Sequence, residues 1–455
     1  MEEYKKIIEN RKESILEELF EFLRVPSISV ENVGIEEIVC KIEKKFQSMN
    51  ALTKRLEIKD AYPFLYAELG EGDFTLLIFD HYDVQPTGDR NLWKSDPFEP
   101  EVRDGKIFAR GVGDNKGNLM LRMQAIDLIT ELTGKLPIKI KWVIEGEEEL
   151  GSPHLEELAR EYGYLWNDAD LCLWESGGVD ENDCPVIVLG YKGISYLELS
   201  CVKGEKDLHS LNASFFESAV WRLIQALNLL RDTDGNLTVP ELVNQIKEPT
   251  DEENELMKKE PFDPEKFLKI KGRKEYLGNK KEPFEILKRH YFGNTCNISG
   301  IWGGYTGQGI KSVLPNEATA KLDIRLVSNQ DSKRVADTIK NYLCDNNFDD
   351  IQIRELTNEP VSRTDPNSPV MKYVISIIEN SYNKDVSVKI SSGGTGPAYY
   401  LSTQYNIPVF SVGALYPGVN AHAPNENIRL TDYFNALSAT IDIFLKLADF
   451  KKDQK

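Results

Sequence analysis

The stretch IKIKWVIEGEEELGS, residues 138–152, joins two unlike halves. IKIKWVI (138–144) is an apolar, strand-like run. The next five positions hold four glutamates: Glu145, Glu147, Glu148 and Glu149. Acid clusters ordinarily lie on solvated loops, so this much negative charge at the end of a buried strand needs a cause. Working outward, the same join recurs. FTLLIF (74–79), which reads as a strand buried on both faces, runs into DHYD with His81 and Asp83. DLCLW (170–174) runs into ESGG with Glu175, and IPVFSVG leads through a Gly/Pro loop to NAHAPNE with His422. The loop GVGDNKG, carrying Asp114, opens a helix, GNLMLRMQAIDLITEL (117–132), with apolar spacing at Leu119, Met123, Ile126 and Ile129.

Strands alternating with helices up to about residue 190 predict an α/β domain, a mostly parallel sheet flanked by helices. Ligands of such sheets bind beyond the carboxyl ends of the strands. The polar residues above would therefore converge on one edge. Carboxylates crowded there without a cation would repel one another and be largely protonated. Divalent cations supply the missing positive charge, and imidazole and carboxylate are their ligands. A single strand-end His or Asp is usually a hydrogen-bonding or capping residue; the joint occurrence at five places is what carries weight. Glu145 and Glu147 read as solvated or supporting carboxylates, and His154 and His290 as surface residues.

From about residue 191 the pattern changes. YLELSCV (196–202) and ATAKLDIRLV (318–327) alternate apolar and polar residues, as a half-exposed sheet does. Residues 191–388 are expected to form an inserted α+β lid and dimerisation domain, with 1–190 and 389–455 forming the metal-binding catalytic domain. The net charge of −19 disfavours a nucleic-acid partner. No apolar run approaches the ~18 residues of a membrane span. The first twenty residues read as a charged amphipathic helix rather than a signal peptide. Six scattered cysteines without a CxxC pair suit free thiols and a cytoplasmic location.

HYDVQP (81–86), GVGDNKG (111–117), EEELGS (147–152), ESGG (175–178), DLHS (207–210) and NAHAPNE (420–426) resemble, in order, the motifs of the co-catalytic zinc metallopeptidases of family M20. HYDVQP and the long insertion TDEENELMKKEPFDPEKF look most like the carnosinase-type dipeptidase branch. The resemblance implies two divalent ions, zinc with manganese or cobalt as compatible substitutes. One would be held by His81, Asp114 and Glu175, the other by Asp114, Glu149 and His422. It implies that Asp83 orients His81, that Glu148 is the general base for a metal-bound hydroxide, and that the Asp114–Asn115 peptide bond is cis. It implies that His209 stabilises the oxyanion, in dimeric relatives from the partner subunit, so a homodimer is expected. Arg325 matches the arginine that holds the substrate carboxylate; Asn294, Thr295, Gly394 and Thr395 match neighbouring binding positions. Two departures stand out: Leu211 where the family often has glycine, and Glu175 where dipeptidase relatives usually carry Asp.

The expected function is hydrolysis of dipeptides or short peptides with a free C-terminal carboxylate. An amidohydrolase acting on N-acyl amino acids is the enzymatic alternative, to which Glu175 lends weight. A non-catalytic binding relative is a third, disfavoured because every proposed ligand and Glu148 are present.

Overall fold

The computed structural model describes residues 2–450 and divides them into two compact units. The first unit comprises the chain up to Leu189, Thr364–Lys389 and everything from Tyr400 onward. Its centre is a six-stranded sheet in the order Leu52–Leu56, Phe64–Leu69, Lys139–Glu145, Thr75–His81, Leu171–Trp174, Val409–Ser411. The last four strands run parallel to one another, and the two at the other edge are antiparallel.

Thr75–His81 lies between two parallel neighbours and is buried along its whole length, which is why its sequence is a continuous apolar run rather than an alternating one. Helices cover the sheet. Phe46 of Ile35–Ser48 meets Trp142 edge to face at 5.4 Å, and Phe79 stacks on Trp174 at 4.1 Å. The helix Lys116–Thr133 packs against Glu2–Leu23 and Leu430–Phe450 and is buried almost all round. Its first turn fits closely over the preceding loop. A Cβ on Gly117 would fall 1.9 Å from the Val112 carbonyl oxygen, so only glycine allows this approach.

The second unit, Gly190–Arg363 with Ile390–Tyr399, holds an antiparallel sheet ordered Asn297–Gly303, Glu317–Leu326, Gly193–Val202, Ile351–Glu359. Burial alternates residue by residue along Gly193–Val202 and Glu317–Leu326. The helices Ala219–Asn228 and Val335–Asp345 pack against this sheet, and their apolar residues join those of the two central strands in one core.

The boundary at the return differs from the sequence reading of 191–388. The helix Pro369–Tyr382 buries Val370, Met371, Val374, Ile377 and Ile378, and Tyr373 donates to the Lys446 carbonyl, so this segment belongs with Leu430–Phe450 in the first unit. Residues 390–399 go back to the second.

Candidate metal centre and active site

The parallel strands end where the sequence turns polar. His81 is the last residue of its strand and Glu145 of the next, and Glu175 directly follows Leu171–Trp174. Asp114 precedes the helix Lys116–Thr133, and the Asp114–Asn115 peptide bond is cis, in line with the expectation. Asp114 sits between two histidines. Its Oδ1 is 3.1 Å from His81 Nε2 and its Oδ2 is 3.0 Å from His422 Nε2. Each of those nitrogens faces a second carboxylate: Glu175 Oε2 lies 3.1 Å from His81 Nε2, and Glu149 Oε2 lies 3.1 Å from His422 Nε2.

This geometry tests whether cations fit. An imidazole Nε2 carries at most one proton and can serve one acceptor, yet two carboxylates converge on each. Acceptors outnumber donors. Glu175 Oε2 and Glu149 Oε1 are buried without a hydrogen-bond partner. The electrostatics agree: hydrogen bonds to Asp114 and Glu149 push the His422 imidazole up to about 10, while burial drives the Glu175 carboxyl well above the usual carboxylate range. Among the described residues, donor atoms of Asp114, Glu149 and His422 lie within 4.8 Å of one another, close enough for one ion. The residues present therefore fit divalent metal.

Asp83 is fully buried behind this cluster. Its backbone carbonyl is 3.0 Å and its Oδ1 3.3 Å from His81 Nδ1, and its Oδ2 accepts from the Glu149 N–H at 3.1 Å. Gln85 Nε2 donates to Glu149 Oε2 at 2.9 Å. Glu148 makes no side-chain hydrogen bond among the described residues. Burial, opposed by the His81 charge and reinforced by Asp114 and Glu149, pushes its carboxyl up to about 7.

Glu145 and Glu147 are not solvated; both are buried. Ser152 Oγ donates to Glu145 at 2.7 Å, and Glu147 accepts from the Tyr62 N–H at 3.0 Å and pairs with His154 at 2.8 Å. His154 is half-buried by that pairing rather than a free surface residue, whereas His290 is exposed.

Sequence reasoning passed over the frame beneath the cluster. Buried Glu426 accepts from Arg110 Nη1 at 2.7 Å and from the N–H groups of Gly111, Gly113 and Asp114 at 3.0, 2.9 and 3.1 Å. It holds the loop that presents Asp114. Buried Arg122 pairs with Asp80 at 2.7 Å, and Asp80 also accepts from Asn115 Nδ2 at 2.6 Å and Trp142 Nε1 at 3.0 Å. No local signal in the sequence marks either device, because the paired charges lie 42 and 316 residues apart.

In the second unit, His209 is exposed and its Nδ1 accepts from the Leu211 N–H at 3.1 Å. That places its proton on Nε2. Arg325 gathers the other expected residues. Thr395 Oγ1 accepts from Arg325 Nη1 at 2.6 Å, Asn294 Nδ2 donates to the Arg325 carbonyl at 2.9 Å, and the Arg325 N–H donates to Thr295 Oγ1 at 3.1 Å. The Asn294 amide is otherwise spent on Gln330. Gly394 is exposed beside Thr395.

The imidazole–carboxylate cluster stands at the carboxyl edge of the sheet, and the relatives of the chain make the protein a metallo-exopeptidase, a hydrolase. The chain belongs to the Peptidase family M20/M25/M40, whose model matches residues 77–448. It is 26% identical over 405 residues to the Beta-Ala-His dipeptidase of Rattus norvegicus, covering 86% of this chain and 81% of that one. It is 26% identical over 355 residues to the Cys-Gly metallodipeptidase dug1 of Schizosaccharomyces pombe, covering 74% of each. Among solved structures, an M20 family metallo-carboxypeptidase, Sso-CP2, from Sulfolobus solfataricus superposes with a TM-score of 0.85 at 37% identity, covering 95% of this chain and 99% of that one. Among the described residues no helix is long and apolar enough to cross a membrane.

Proposed function

We propose that the protein hydrolyses the peptide bond of dipeptides or short peptides that end in a free carboxylate, using two divalent ions. The observation that carries this reading is the convergence of paired carboxylates on His81 Nε2 and His422 Nε2 with Asp114 shared between them. One ion would be held by His81, Asp114 and Glu175, the other by Asp114, Glu149 and His422. When bound, such ions would lower the pKa of water towards neutrality and polarise the substrate carbonyl. Zinc, manganese and cobalt all suit this donor set.

The side chains do the rest. Asp83 holds the Nδ1 edge of His81 and so leaves Nε2 for the metal. Glu148 takes a proton from the attacking water. The water oxygen joins the carbonyl carbon, the C–N bond breaks, and Glu148 returns the proton to the departing amine. Burial and the neighbouring carboxylates raise this carboxyl's affinity for a proton, which suits a group that takes one and later returns it. His209 Nε2–H donates to the carbonyl oxygen as negative charge develops there. Arg325, with Thr395 beside it, holds the terminal carboxylate. The comparison that tests this is kcat/KM for a free dipeptide against its N-acetylated form, with zinc or manganese loaded. Preference for the free amine defines a dipeptidase. Equal or better cleavage of the acetylated form favours a carboxypeptidase or an N-acyl-amino-acid amidohydrolase, and cleavage of neither sinks the reading.

The same reading includes a homodimer in which His209 serves the partner's site. It is supported by the edge strand Asn297–Gly303, which exposes Ile298, Ile301 and Trp302, and by exposed Phe215, Phe216 and Trp221 shortly after His209 in the chain. His209→Ala is expected to lower kcat roughly 10²–10³-fold with metal content intact. Mixing it with Glu148→Gln and allowing subunits to exchange should restore activity, because one site of each mixed dimer regains both groups. No recovery would leave His209 acting within its own chain. All six cysteines are unpaired, which supports a cytoplasmic location.

Without metal, the titration of the site's own groups should weaken the fold as pH rises towards neutrality. The raised pKa values of Glu148 and His422 mean that these two groups bind more protons in the folded chain than in the unfolded one. Their contribution to stability is lost as pH rises, between about 4.5 and 7 for Glu148 and between 6.5 and about 10 for His422; above about pH 7 the buried Lys116 and Lys192, pushed down to about 7 and about 8, oppose it. Metal binding needs neutral imidazole and ionised carboxylate, so zinc should reverse the trend. Thermal midpoints at pH 5 and pH 7, with chelator and with zinc, check this.

A further inference from the structure

Lys192 lies in GYKG (190–193) of the second unit and is 3% exposed. An ammonium group so buried is costly unless something repays its lost hydration. Among the described residues it has no carboxylate within ion-pair reach. Burial, with the like charge of Arg325 adding to it, pushes the group down to about 8, so it is still mostly charged at neutral pH. Its one hydrogen bond is to the Gly293 carbonyl, at 2.7 Å. The Lys192 N–H donates to the Gly394 carbonyl at 3.0 Å.

Those two contacts reach the two segments that grip Arg325. Gly293 leads into Asn294 and Thr295, which bind the Arg325 main chain through its carbonyl and its N–H. Gly394 leads into Thr395, which accepts from the guanidinium. One residue thus ties together both walls around Arg325, with its side chain on one and its main chain on the other. The only acid paired with Arg325 among the described residues is Asp323, 3.3 Å from Nε. Among the described residues, two cations here thus answer to one carboxylate.

We propose that Lys192 is a positioning residue that braces the Asn294–Thr295 and Gly394–Thr395 segments around Arg325 and adds the second positive charge that selects peptides with a free C-terminal carboxylate. This rests on Arg325 being the carboxylate anchor. Lys192 itself stays out of reach of substrate and acts through Gly293 and Arg325.

The test compares L-alanyl-L-alanine with its C-terminal amide on the metal-loaded enzyme. Lys192→Met keeps the length and apolar stem of the side chain and removes the donor and the charge. It should lower the free-acid to amide ratio of kcat/KM by roughly 10- to 100-fold, mainly through KM for the free acid. Lys192→Arg should restore most of the ratio. A merely structural lysine would lower both substrates alike. Should the Met variant not fold, Lys192→Gln, which keeps a donor without charge, is judged by the same ratio. Arg325→Met separates the two levels. If it loses the ratio while the Lys192 variant retains it, the bracing role is overturned and the anchor stands. If Arg325→Met also retains the ratio, the carboxylate reading itself fails.

Discussion

Glu148→Gln is expected to lower kcat by about 10²–10⁴-fold and to leave the bound metal content unchanged. The amide has the shape of the carboxyl, so packing is preserved, but it can neither take a proton from water nor carry one to the leaving amine. Glu148 is also the acid in the EEE run with no side-chain partner, whereas Glu147 is spent on Tyr62 and His154 and Glu149 is held by Gln85 and faces His422. That division of labour within three consecutive residues supports Glu148 as the proposed base and Glu149 as a proposed ligand. Glu149→Gln should instead lose metal, since it replaces one oxygen of the Asp114–Glu149–His422 group by a nitrogen that cannot ligate. Metal analysis beside kcat discriminates the two. Metal lost from Glu148→Gln would move that residue among the ligands and leave the reaction without its base.

The site was readable in the sequence to the extent that strand ends are. A continuous apolar run such as FTLLIF announces a strand with neighbours on both sides, and parallel neighbours bring the residues after them to one edge. His81, Asp114, Glu149, Glu175 and His422 meet there because each follows or caps an element whose own sequence is unambiguous. What the sequence hid depends on partners far along the chain. Arg122 stands in LMLRMQAI, where a lone cation looks like one that reaches solvent, and its partner Asp80 is 42 residues away. The sequence left Glu145 and Glu147 as solvated or supporting carboxylates because the donors that allow their burial, Ser152, Tyr62 and His154, come from a turn, a distant loop and a helix start. The end of the second unit was misplaced for a related reason. Nothing in Pro369–Tyr382 says which core its apolar face will join until Tyr373 is seen against Lys446 and the Phe450 ring.

Arg122→Met is expected to destabilise the fold by about 3–5 kcal/mol, the cost of leaving a buried charge without its partner. The guanidinium crosses the carboxyl ends of three neighbouring parallel strands. Nη1 donates to the Phe79 carbonyl at 3.2 Å and to Asp80 at 2.7 Å, while Nη2 donates to the carbonyls of Trp174 at 2.7 Å and Val412 at 3.3 Å. Strands stand almost 5 Å apart, so a planar fork can span them where an ammonium cannot. Three residues of this network each adjoin a proposed ligand: Asp80 precedes His81, Asn115 follows Asp114 and Trp174 precedes Glu175. Loss of the fork should therefore loosen metal as well as lower the unfolding midpoint. Arg122→Lys keeps the charge opposite Asp80 but drops the carbonyls, and should fall between wild type and Arg122→Met. Pairing Arg122→Met with Asp80→Asn removes both charges and should recover part of the loss, since a neutral buried pair avoids the stranded carboxylate. Chemical denaturation of the metal-free and metal-loaded forms reads both effects. A single-mutant loss under about 1 kcal/mol, or a double mutant worse than the sum of its parts, would mean that the Asp80–Arg122 pair is not what holds the strand ends in register beside the proposed metal ligands.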